Sequence, residues 1–588
     1  MNEPSKAILV AGMHRSGTSM VGGLLSELGI DMGERLILAD ADNKRGYFED
    51  ADIVAFHGQA FRSLMSPQAC GHVDWGWSES EVVDSERLAE HLPQARELVA
   101  ERALRGGVWG FKDPRTTLAL DFWDGCIEEV RYVLVYRYPW EVADSMLRLG
   151  ADVFLNNPTY AYRIWSFYNE QLIDFYERNK SRCILVSSNA LPSSLGSFMG
   201  LVDTRLGVEH QPAEFENLFE ESLFTRGEQE EVLASLTAAG FSECIELLKR
   251  LDDQADIPSD GAWRQNTVRQ TEMGRPDVPA DIDLSIIVPT FNDGIYLIDA
   301  LASIERCRLP RAELIVVNDG SSDPTTLRML AGLERQGYYV LHKPNGGLSS
   351  ARNEAIAAAR GRYILPLDAD NRIHPTFVKS AIELLDKDPE IGVVYGDRQL
   401  FGASTQHIPV PEYEFRSLLG GNAIDACAVY RRDLWRELEG YDEGMSGFED
   451  WEFWIRAGLS GWRFHHLSMV AQDYRMRADS LLEQCLEGQT RRRLCEHIRK
   501  KHADLYYSHL PWLWRSVSTT LALFVKPQHL QGLRELESRS FWGLVWLLFG
   551  PGSVFAKDKT RRGRGGVKAV GHPTQSVFVS ERGSPVQK

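Results

Sequence analysis

Short apolar runs alternate with longer amphipathic stretches along the first 250 residues of the chain. The apolar runs at 7–10, 108–111, 132–136 and 183–186 predict buried strands. The segments between them, such as 85–104 and 160–178, have the composition of helices. Strands that alternate with helices indicate a parallel sheet covered by helices, so this part is predicted to be an α/β domain.

A second alternation follows a polar segment, 252–282, that is rich in Pro, Asp, Gln and Gly and predicts a linker. The later apolar runs are 284–288, 313–317, 338–341, 363–367 and 392–395. The predicted fold class is therefore α/β, with two doubly wound, mostly parallel sheet domains. Their predicted bounds are 1–251 and 283–510, and a C-terminal tail follows at 511–588.

Composition narrows the class of protein. The chain has 588 residues, 43% hydrophobic and 25% charged, which is typical of globular domains and argues against disorder. Its net charge of −18 argues against a nucleic-acid partner, which would require a surplus of Lys and Arg. The eight cysteines stand singly, and we find neither a secretory signal nor an apolar stretch of about 18 residues. These features favour a cytoplasmic protein.

The predicted tail combines an apolar, aromatic stretch at 541–549 with a basic, Gly-rich run at 557–568. This combination is typical of a segment that lies on an anionic membrane face. A helix packed on the preceding domain, with a basic end, has the same pattern. Peripheral contact with the inner face of the cytoplasmic membrane is therefore one of two hypotheses for this tail.

A Gly-rich loop, Gly12-Met-His-Arg-Ser-Gly17-Thr-Ser19, stands between the first predicted strand and a helical stretch. Loops in this position hold phosphate with backbone N–H groups. ATPases have Lys after the second Gly, where this chain has Thr18, and a cation, Arg15, lies inside the loop. The third predicted strand ends in Arg137 rather than in an Asp that could hold magnesium. An ordinary ATPase or kinase is therefore disfavoured.

Residues 5–200 resemble the PAPS-dependent sulfotransferases. The resemblance implies that the loop binds the 5′-phosphosulfate of PAPS. Arg137 and Ser145, eight residues apart, match the family's 3′-phosphate site. Lys112, in Lys112-Asp-Pro-Arg115, matches a Lys that reaches the sulfonate. The loop residues that the resemblance assigns to PAPS are Arg15, Ser16, Gly17, Thr18 and Ser19.

Sulfonyl transfer disperses negative charge over oxygen atoms, so Arg15 and Lys112 would stabilise its transition state. The acceptor hydroxyl needs a general base. Glu49, in Gly46-Tyr-Phe-Glu-Asp50, matches a Gly-Tyr-x-Glu element of related bacterial sequences. Glu34 lies nearer in the sequence to the position at which the tyrosyl-protein sulfotransferases have their base. The sequence leaves both carboxylates open as the base.

A second set of polar residues follows strands of the second predicted sheet. Asn292 and Asp319 come at the ends of two of these strands, where α/β sheets bind ligands. Asp368 and Asp370 end another strand, and they lie on the same side because strand side chains alternate. Paired carboxylates suit Mg²⁺ or Mn²⁺ bound to a diphosphate.

Residues 283–480 resemble the family 2 glycosyltransferases of the GT-A fold. The resemblance implies that Thr290 and Asp319 contact the nucleoside of a nucleotide sugar, with UDP favoured. Arg352, in the segment Asn345 to Asn353, would lie beside the nucleotide. Asp368 and Asp370 match the D-x-D element that binds the metal, and Asp368 also faces the nucleotide. Asp450, in Gly447-Phe-Glu-Asp450, matches the general base of an inverting transfer.

These resemblances together predict a bifunctional carbohydrate-modifying enzyme of polysaccharide biosynthesis. It would transfer a sulfonyl group from PAPS and a sugar from a nucleotide sugar to hydroxyls of a saccharide or lipid-linked glycan acceptor. The alternative is a glycosyltransferase whose P-loop domain is a non-catalytic, nucleotide-binding regulatory module. A preference for ATP or GTP over 3′-phosphoadenosine nucleotides would favour that alternative.

Overall fold

The structure is a computed structural model of the chain. It describes residues 5–38, 46–64, 85–148, 154, 159–208, 230–261, 263–264, 281–402, 406–477, 485 and 488–506. The predicted tail, 511–588, lies outside the described residues. We call residues 5–264 the N-terminal half and residues 281–477 the C-terminal half.

The N-terminal half contains a four-stranded sheet in the order β2-β1-β3-β4, in which all neighbouring strands are parallel. The strands are β1 (Lys6–Ala11), β2 (Val108–Lys112), β3 (Val130–Tyr136) and β4 (Cys183–Ser187). The helices are α1 (Thr18–Glu27), α2 (Ala51–Leu64), α3 (Ser85–Ala89), α4 (Leu92–Ala103), α5 (Leu120–Asp124), α6 (Pro139–Arg148), α7 (Tyr160–Asn179), α8 (Leu195–Leu201), α9 (Glu230–Gly240) and α10 (Ser242–Gln254).

Helices cover both faces of this sheet. Leu9 of β1 belongs to a core cluster with Phe56 of α2 and Trp165 of α7. Its neighbour Val10 points to the opposite face and belongs to a second cluster with Leu24 of α1. Side chains alternate along a strand, so a strand buried on both faces must be apolar at consecutive positions. Burial on both faces therefore explains the continuous apolar run at 7–10. Helices on both faces of the sheet form the doubly wound arrangement predicted for this half.

The C-terminal half contains a nine-stranded sheet in the order β7-β6-β5-β8-β12-β10-β13-β9, with β11 paired to β10. The strands are β5 (Leu284–Thr290), β6 (Ala312–Asp319), β7 (Tyr339–Lys343), β8 (Tyr363–Pro366), β9 (Arg372–Ile373), β10 (Ile391–Gly402), β11 (His407–Ile408), β12 (Val429–Arg431) and β13 (Arg463–Met476). The helices are α11 (Leu297–Glu305), α12 (Pro324–Arg335), α13 (Leu348–Ala358), α14 (Pro375–Lys387), α15 (Phe415–Leu418), α16 (Arg432–Glu437) and α17 (Glu449–Leu459), and α18 (Gly488–Lys501) follows them.

The first four strands of this sheet, β7, β6, β5 and β8, are parallel neighbours. The order then becomes mixed, because β12 is antiparallel to both β8 and β10. The prediction of a mostly parallel sheet therefore holds for β5–β8. Beyond β8 the pairing is mixed, since β10 and β13 are parallel whereas β9, β11 and β12 are antiparallel to their neighbours. Capping residues in the sequence also agree with the helices that follow the parallel strands. Helix α12, for example, begins after Asp323, whose side chain accepts a hydrogen bond from the Thr326 N–H.

The predicted linker, 252–282, needs a correction over its first part. Asp252 lies in the last turn of helix α10 and is buried, and its carboxylate accepts hydrogen bonds from Tyr136 Oη at 2.5 Å and Trp263 Nε1 at 3.0 Å. Ile257 is buried and forms a β-bridge with Val186 of β4. Residues 252–261 and 263–264 thus belong to the N-terminal half, because their few apolar side chains fill its core. Residues 265–280 lie outside the described residues.

The chain divides into two compact units, Met1–Ile498 and Arg499–Lys588. The first unit contains both sheets. Within the part of the chain that the structure describes, no helix has the length and apolar character needed to cross a membrane.

Candidate functional site

The Gly-rich loop connects β1 to α1 as predicted. The Gly12 N–H donates a hydrogen bond to Thr117 Oγ1 at 2.8 Å, and Gly17 adopts a left-handed φ of 89° at the start of α1. A Cβ at Gly17 would lie 2.7 Å from Ser188 Cβ, so only glycine fits there. The loop is therefore held by both backbone conformation and close packing.

The structure brings the predicted cations of the N-terminal half together at this loop. Arg15 Nε donates to Ser145 Oγ of α6 at 2.8 Å, and Arg137 Nη1 donates to the Arg15 carbonyl at 3.3 Å. The guanidinium of Arg137 also pairs with Glu141. Residues from the loop, from the end of β3 and from α6 thus converge, although they lie far apart in the sequence.

Lys112 stands at the end of β2 and is buried. Its Nζ donates to Glu49 Oε1 at 2.6 Å and to Ser19 Oγ at 3.2 Å. Burial raises the pKa of Glu49 although Lys112 opposes this shift. Glu34 is 71% exposed and pairs instead with Arg105 at 3.3 Å. Of the two carboxylates that the sequence left open, Glu49 is the one in contact with Lys112.

Asp113, the residue after this lysine, is the centre of a buried network with Arg115 and His57. Asp113 Oδ2 lies 2.9 Å from His57 Nδ1 and 2.7 Å from Arg115 Nη2. Trp123 Nε1 donates to His57 Nε2 at 2.9 Å, so the proton of the neutral imidazole lies on Nδ1. Against burial, Arg115 and His57 hold the pKa of Asp113 well below its usual range. His57 has no motif around it, and only the fold places it here.

Two buried hydroxyls beside the loop indicate that it fits an anion. Ser16 Oγ and Ser188 Oγ are buried, and neither has a hydrogen-bond partner among the described residues. A buried hydroxyl without a partner is costly, and a phosphate oxygen would accept from it. Together with Arg15 and Arg137, these groups match a phosphate-bearing ligand.

In the C-terminal half, Asp319 ends β6 and organises the neighbouring loop. Its Oδ1 accepts from Lys343 Nζ at 2.7 Å and from the Gly346 N–H at 2.9 Å, and its Oδ2 accepts from the Gly347 N–H at 2.8 Å. Thr290, at the end of β5, has a buried Oγ1 without a partner among the described residues. The two residues predicted to contact a nucleoside thus lie at the ends of adjacent strands.

Arg352 of α13 joins the two acidic motifs of this half. Its Nη2 donates to Asp368 Oδ1 at 2.7 Å and its Nη1 donates to Glu449 Oε1 at 2.6 Å. The guanidinium is 1% exposed and lies over the Tyr441 ring. One buried cation therefore fixes the D-x-D residues relative to the start of α17.

Asp370, the second D-x-D carboxylate, lies 3.4 Å from Arg477 Nε. Burial, together with Asp368 and Asp293, raises the pKa of Asp370 to about 6 against the effect of Arg477. Burial also raises the pKa of Asp368. The negative charges of Asp368 and Asp370 are only partly neutralised by neighbouring cations, so this pair suits a divalent cation. No third His, Cys, Asp or Glu completes a metal cluster among the described residues, so diphosphate oxygens and water would supply the other ligands of Mg²⁺ or Mn²⁺.

Asp450 lies in the first turn of α17, immediately after Glu449. Its Oδ2 accepts from Asn422 Nδ2 at 2.8 Å, and its Oδ1 accepts from the Trp451 N–H at 2.7 Å. Burial, followed by the negative charges of Glu449 and Asp425, raises the pKa of Asp450 to about 8 despite Arg352. A carboxylate with a pKa near neutrality is suited to accept a proton.

The sequence did not identify three residues around this site. Asn422 orients Asp450, Asp425 adds negative charge beside it, and Arg477 faces Asp370. Asn422 and Asp425 come before β12, a strand of three residues that was not among the predicted strands. Arg477 follows β13 directly, and recognition of that strand would have placed it at the sheet edge.

Comparison with known proteins agrees with the second set of motifs. Residues 285–438 match the family model described as glycosyl transferase family 2. The C-terminal half carries a family 2 glycosyltransferase domain. This confirms the family predicted for that half. The matched residues include Thr290, Asp319, Arg352 and the D-x-D pair, whose roles stay predictions, and Asp450 lies outside the match. The sulfotransferase resemblance of the N-terminal half stays a prediction.

The chain is 27% identical over 274 residues to an uncharacterised protein of Sinorhizobium fredii, which covers 43% of this chain and 30% of that protein. It is 25% identical over 203 residues to chondroitin synthase of Pasteurella multocida, which covers 34% of this chain and 21% of that enzyme. The chain thus spans less than a third of the length of these relatives. The structure of S. aureus TarS 1–349 in complex with UDP-GlcNAc is 23% identical, with a TM-score of 0.30, over 34% of this chain and 61% of that one.

The family 2 domain is expected to depend on Arg352 for its stability. Arg352→Ala leaves Asp368 and Glu449 without their shared cation, and removal of one partner of a buried ion pair costs about 3–5 kcal/mol. Arg436→Ala removes an exposed pair with Asp433 and should cost less than about 1 kcal/mol. Urea unfolding of both variants measures the two free energies, and equal losses would contradict the role given to Arg352.

Proposed function

We propose that the C-terminal half transfers a sugar, with inversion, from a nucleotide sugar to a hydroxyl of a saccharide or lipid-linked glycan. The observation that carries this proposal is the position of Asp450, held by Asn422 beside Glu449, with its pKa raised to about 8. The family 2 match supports the reaction class. The similarity to chondroitin synthase supports a saccharide acceptor. UDP remains our favoured nucleotide.

In this mechanism Asp450 Oδ2 accepts the proton of the acceptor hydroxyl as that oxygen attacks the anomeric carbon. The nucleoside diphosphate departs from the opposite face of the sugar, so the configuration inverts. Asn422 keeps the carboxylate in one orientation, and Arg352 fixes Asp368 relative to the base through Glu449. A divalent cation held by Asp368 and Asp370 would neutralise charge on the diphosphate when bound.

For the N-terminal half we propose sulfonyl transfer from PAPS to an acceptor hydroxyl. The observation that favours it is that Lys112 contacts Ser19 of the loop and Glu49 at the same time. An ammonium group has three donors, so the third is available for the sulfonate. Arg15, Arg137 and Ser145 would hold the phosphates of PAPS. Glu49 would take the hydroxyl proton as the acceptor oxygen bonds to sulfur, while the bond from sulfur to the bridging phosphate oxygen breaks and 3′-phosphoadenosine 5′-phosphate leaves.

Asp450→Asn is expected to abolish sugar transfer and to retain nucleotide binding. The amide keeps the shape of the side chain and cannot accept the proton, so kcat should fall by about 10²–10⁴-fold. Transfer of radiolabelled sugar from a panel of UDP sugars measures turnover, and calorimetry measures the Kd for UDP with Mg²⁺. Asp433→Asn, at an exposed position on α16, is the matched control. Turnover that survives in Asp450→Asn would refute the proposed base.

Glu49→Gln and Glu34→Gln test the base of sulfonyl transfer. Glu49 contacts Lys112, and Glu34 is exposed beside Arg105, so only Glu49→Gln should lower transfer, by about 10²–10⁴-fold. The readout is ³⁵S transferred from labelled PAPS to a panel of saccharide acceptors. A loss of transfer in Glu34→Gln alone would reverse the assignment.

A further inference from the structure

A line of ion pairs leads from the phosphate loop to the D-x-D residues and crosses between the halves. Asp144 of α6 precedes Ser145, the residue that accepts from Arg15. Arg372 Nη2 of β9 donates to Asp144 Oδ1 at 3.0 Å, and the same nitrogen lies 3.0 Å from Asp299 Oδ1 of α11. One guanidinium of the C-terminal half thus contacts a carboxylate from each half.

The line continues from Asp299 to the metal-binding turn. Asp299 pairs with Arg475 of β13. The Arg475 Nε donates to the Asp370 carbonyl at 3.0 Å, and its backbone N–H donates to Asn371 Oδ1 at 2.9 Å. Arg372 itself follows Asp370 by two positions. The backbone of the D-x-D turn is therefore held by residues that Asp144 reaches through two arginines and one aspartate.

Aromatic contacts restrict these arginines. The guanidinium groups of Arg372 and Arg475 lie 4.5 Å and 4.3 Å from the centre of the Phe401 ring. The side chains of Arg372 and Asp299 are each only 22% exposed. Ion pairs that are partly desolvated and packed on a ring are less screened and less free to reorient than exposed pairs. A displacement of Asp144 is therefore passed to Arg372 rather than lost to solvent.

We propose that Asp144 and Arg372 couple the two nucleotide sites, so that occupancy of the phosphate loop tightens nucleotide binding at the D-x-D turn. The proposal rests on the proposed function of both halves. A 3′-phosphate bound by Arg137 and Ser145 orders the turn of α6 that carries Asp144. Asp144 then holds Arg372, and the D-x-D turn loses less conformational freedom when the second nucleotide binds. Such coupling is reciprocal by thermodynamic necessity.

The test is calorimetry on the full chain with two stable probes, 3′-phosphoadenosine 5′-phosphate and UDP with Mg²⁺. Saturation with the adenosine nucleotide should lower the Kd for UDP at least about fivefold. Saturation with UDP should lower the Kd for the adenosine nucleotide by the same factor. In Asp144→Asn and Arg372→Gln the ratio should fall below about twofold, and in Asp144→Asn the Kd of each nucleotide alone should change little.

Arg328→Gln is the matched control, because Arg328 of α12 lies 4.0 Å from Glu243 of α10 in another ion pair between the halves. It should keep the full coupling. A ratio of one or a weaker affinity in the unchanged protein would overturn the coupling, as would undiminished coupling in Asp144→Asn. If both nucleotides bind independently, only the coupling fails. If the adenosine nucleotide does not bind, the PAPS proposal fails and the coupling fails with it.

Discussion

The C-terminal site depends on the two ion pairs that the buried guanidinium of Arg352 forms. A cation removed from water must be paired, and here its two partners come from different motifs, Asp368 of D-x-D and Glu449 of α17. The sequence separates these partners by 81 positions (449 minus 368). Because Glu449 immediately precedes Asp450, the same ion pairs that keep the D-x-D turn in place also determine where the proposed base lies.

The distribution of charge is compatible with the two anionic donors that we propose for a chain of net charge −18. In the N-terminal half, three cations, Arg15, Arg137 and Lys112, lie around one loop, and they outnumber the two carboxylates paired with them, Glu49 and Glu141. In the C-terminal half, carboxylates lie close together: Asp425 repels both Asp368 and Asp450, and Asp368 repels Asp370. That repulsion favours a bound cation at Asp368 and Asp370, and it helps to raise the pKa of Asp450.

The sequence was most informative where one local pattern sufficed. Continuous apolar runs identified β1 to β8 and the first part of β10, because buried strands are apolar at consecutive positions, and the motif residues followed from the ends of those strands. It failed where the structure depends on distant contacts. β9, β11 and β12 are two or three residues long and owe their pairing to neighbouring strands. His57 and Asn422 function through partners 56 and 28 positions away, and no local pattern encodes such contacts.

Burial and neighbouring charges raise the pKa of Asp450, and the proposed sugar transfer depends on its carboxylate. The titration of Asp450 is therefore the most direct test of the proposed function. The measurement is the pH dependence of kcat/KM for sugar transfer between pH 6 and 10. Because Asp450 must be ionised to accept a proton and its pKa is raised to about 8, kcat/KM should rise about tenfold per pH unit below 8 and become constant above it. A rate that does not change between pH 6 and 10 would contradict the account.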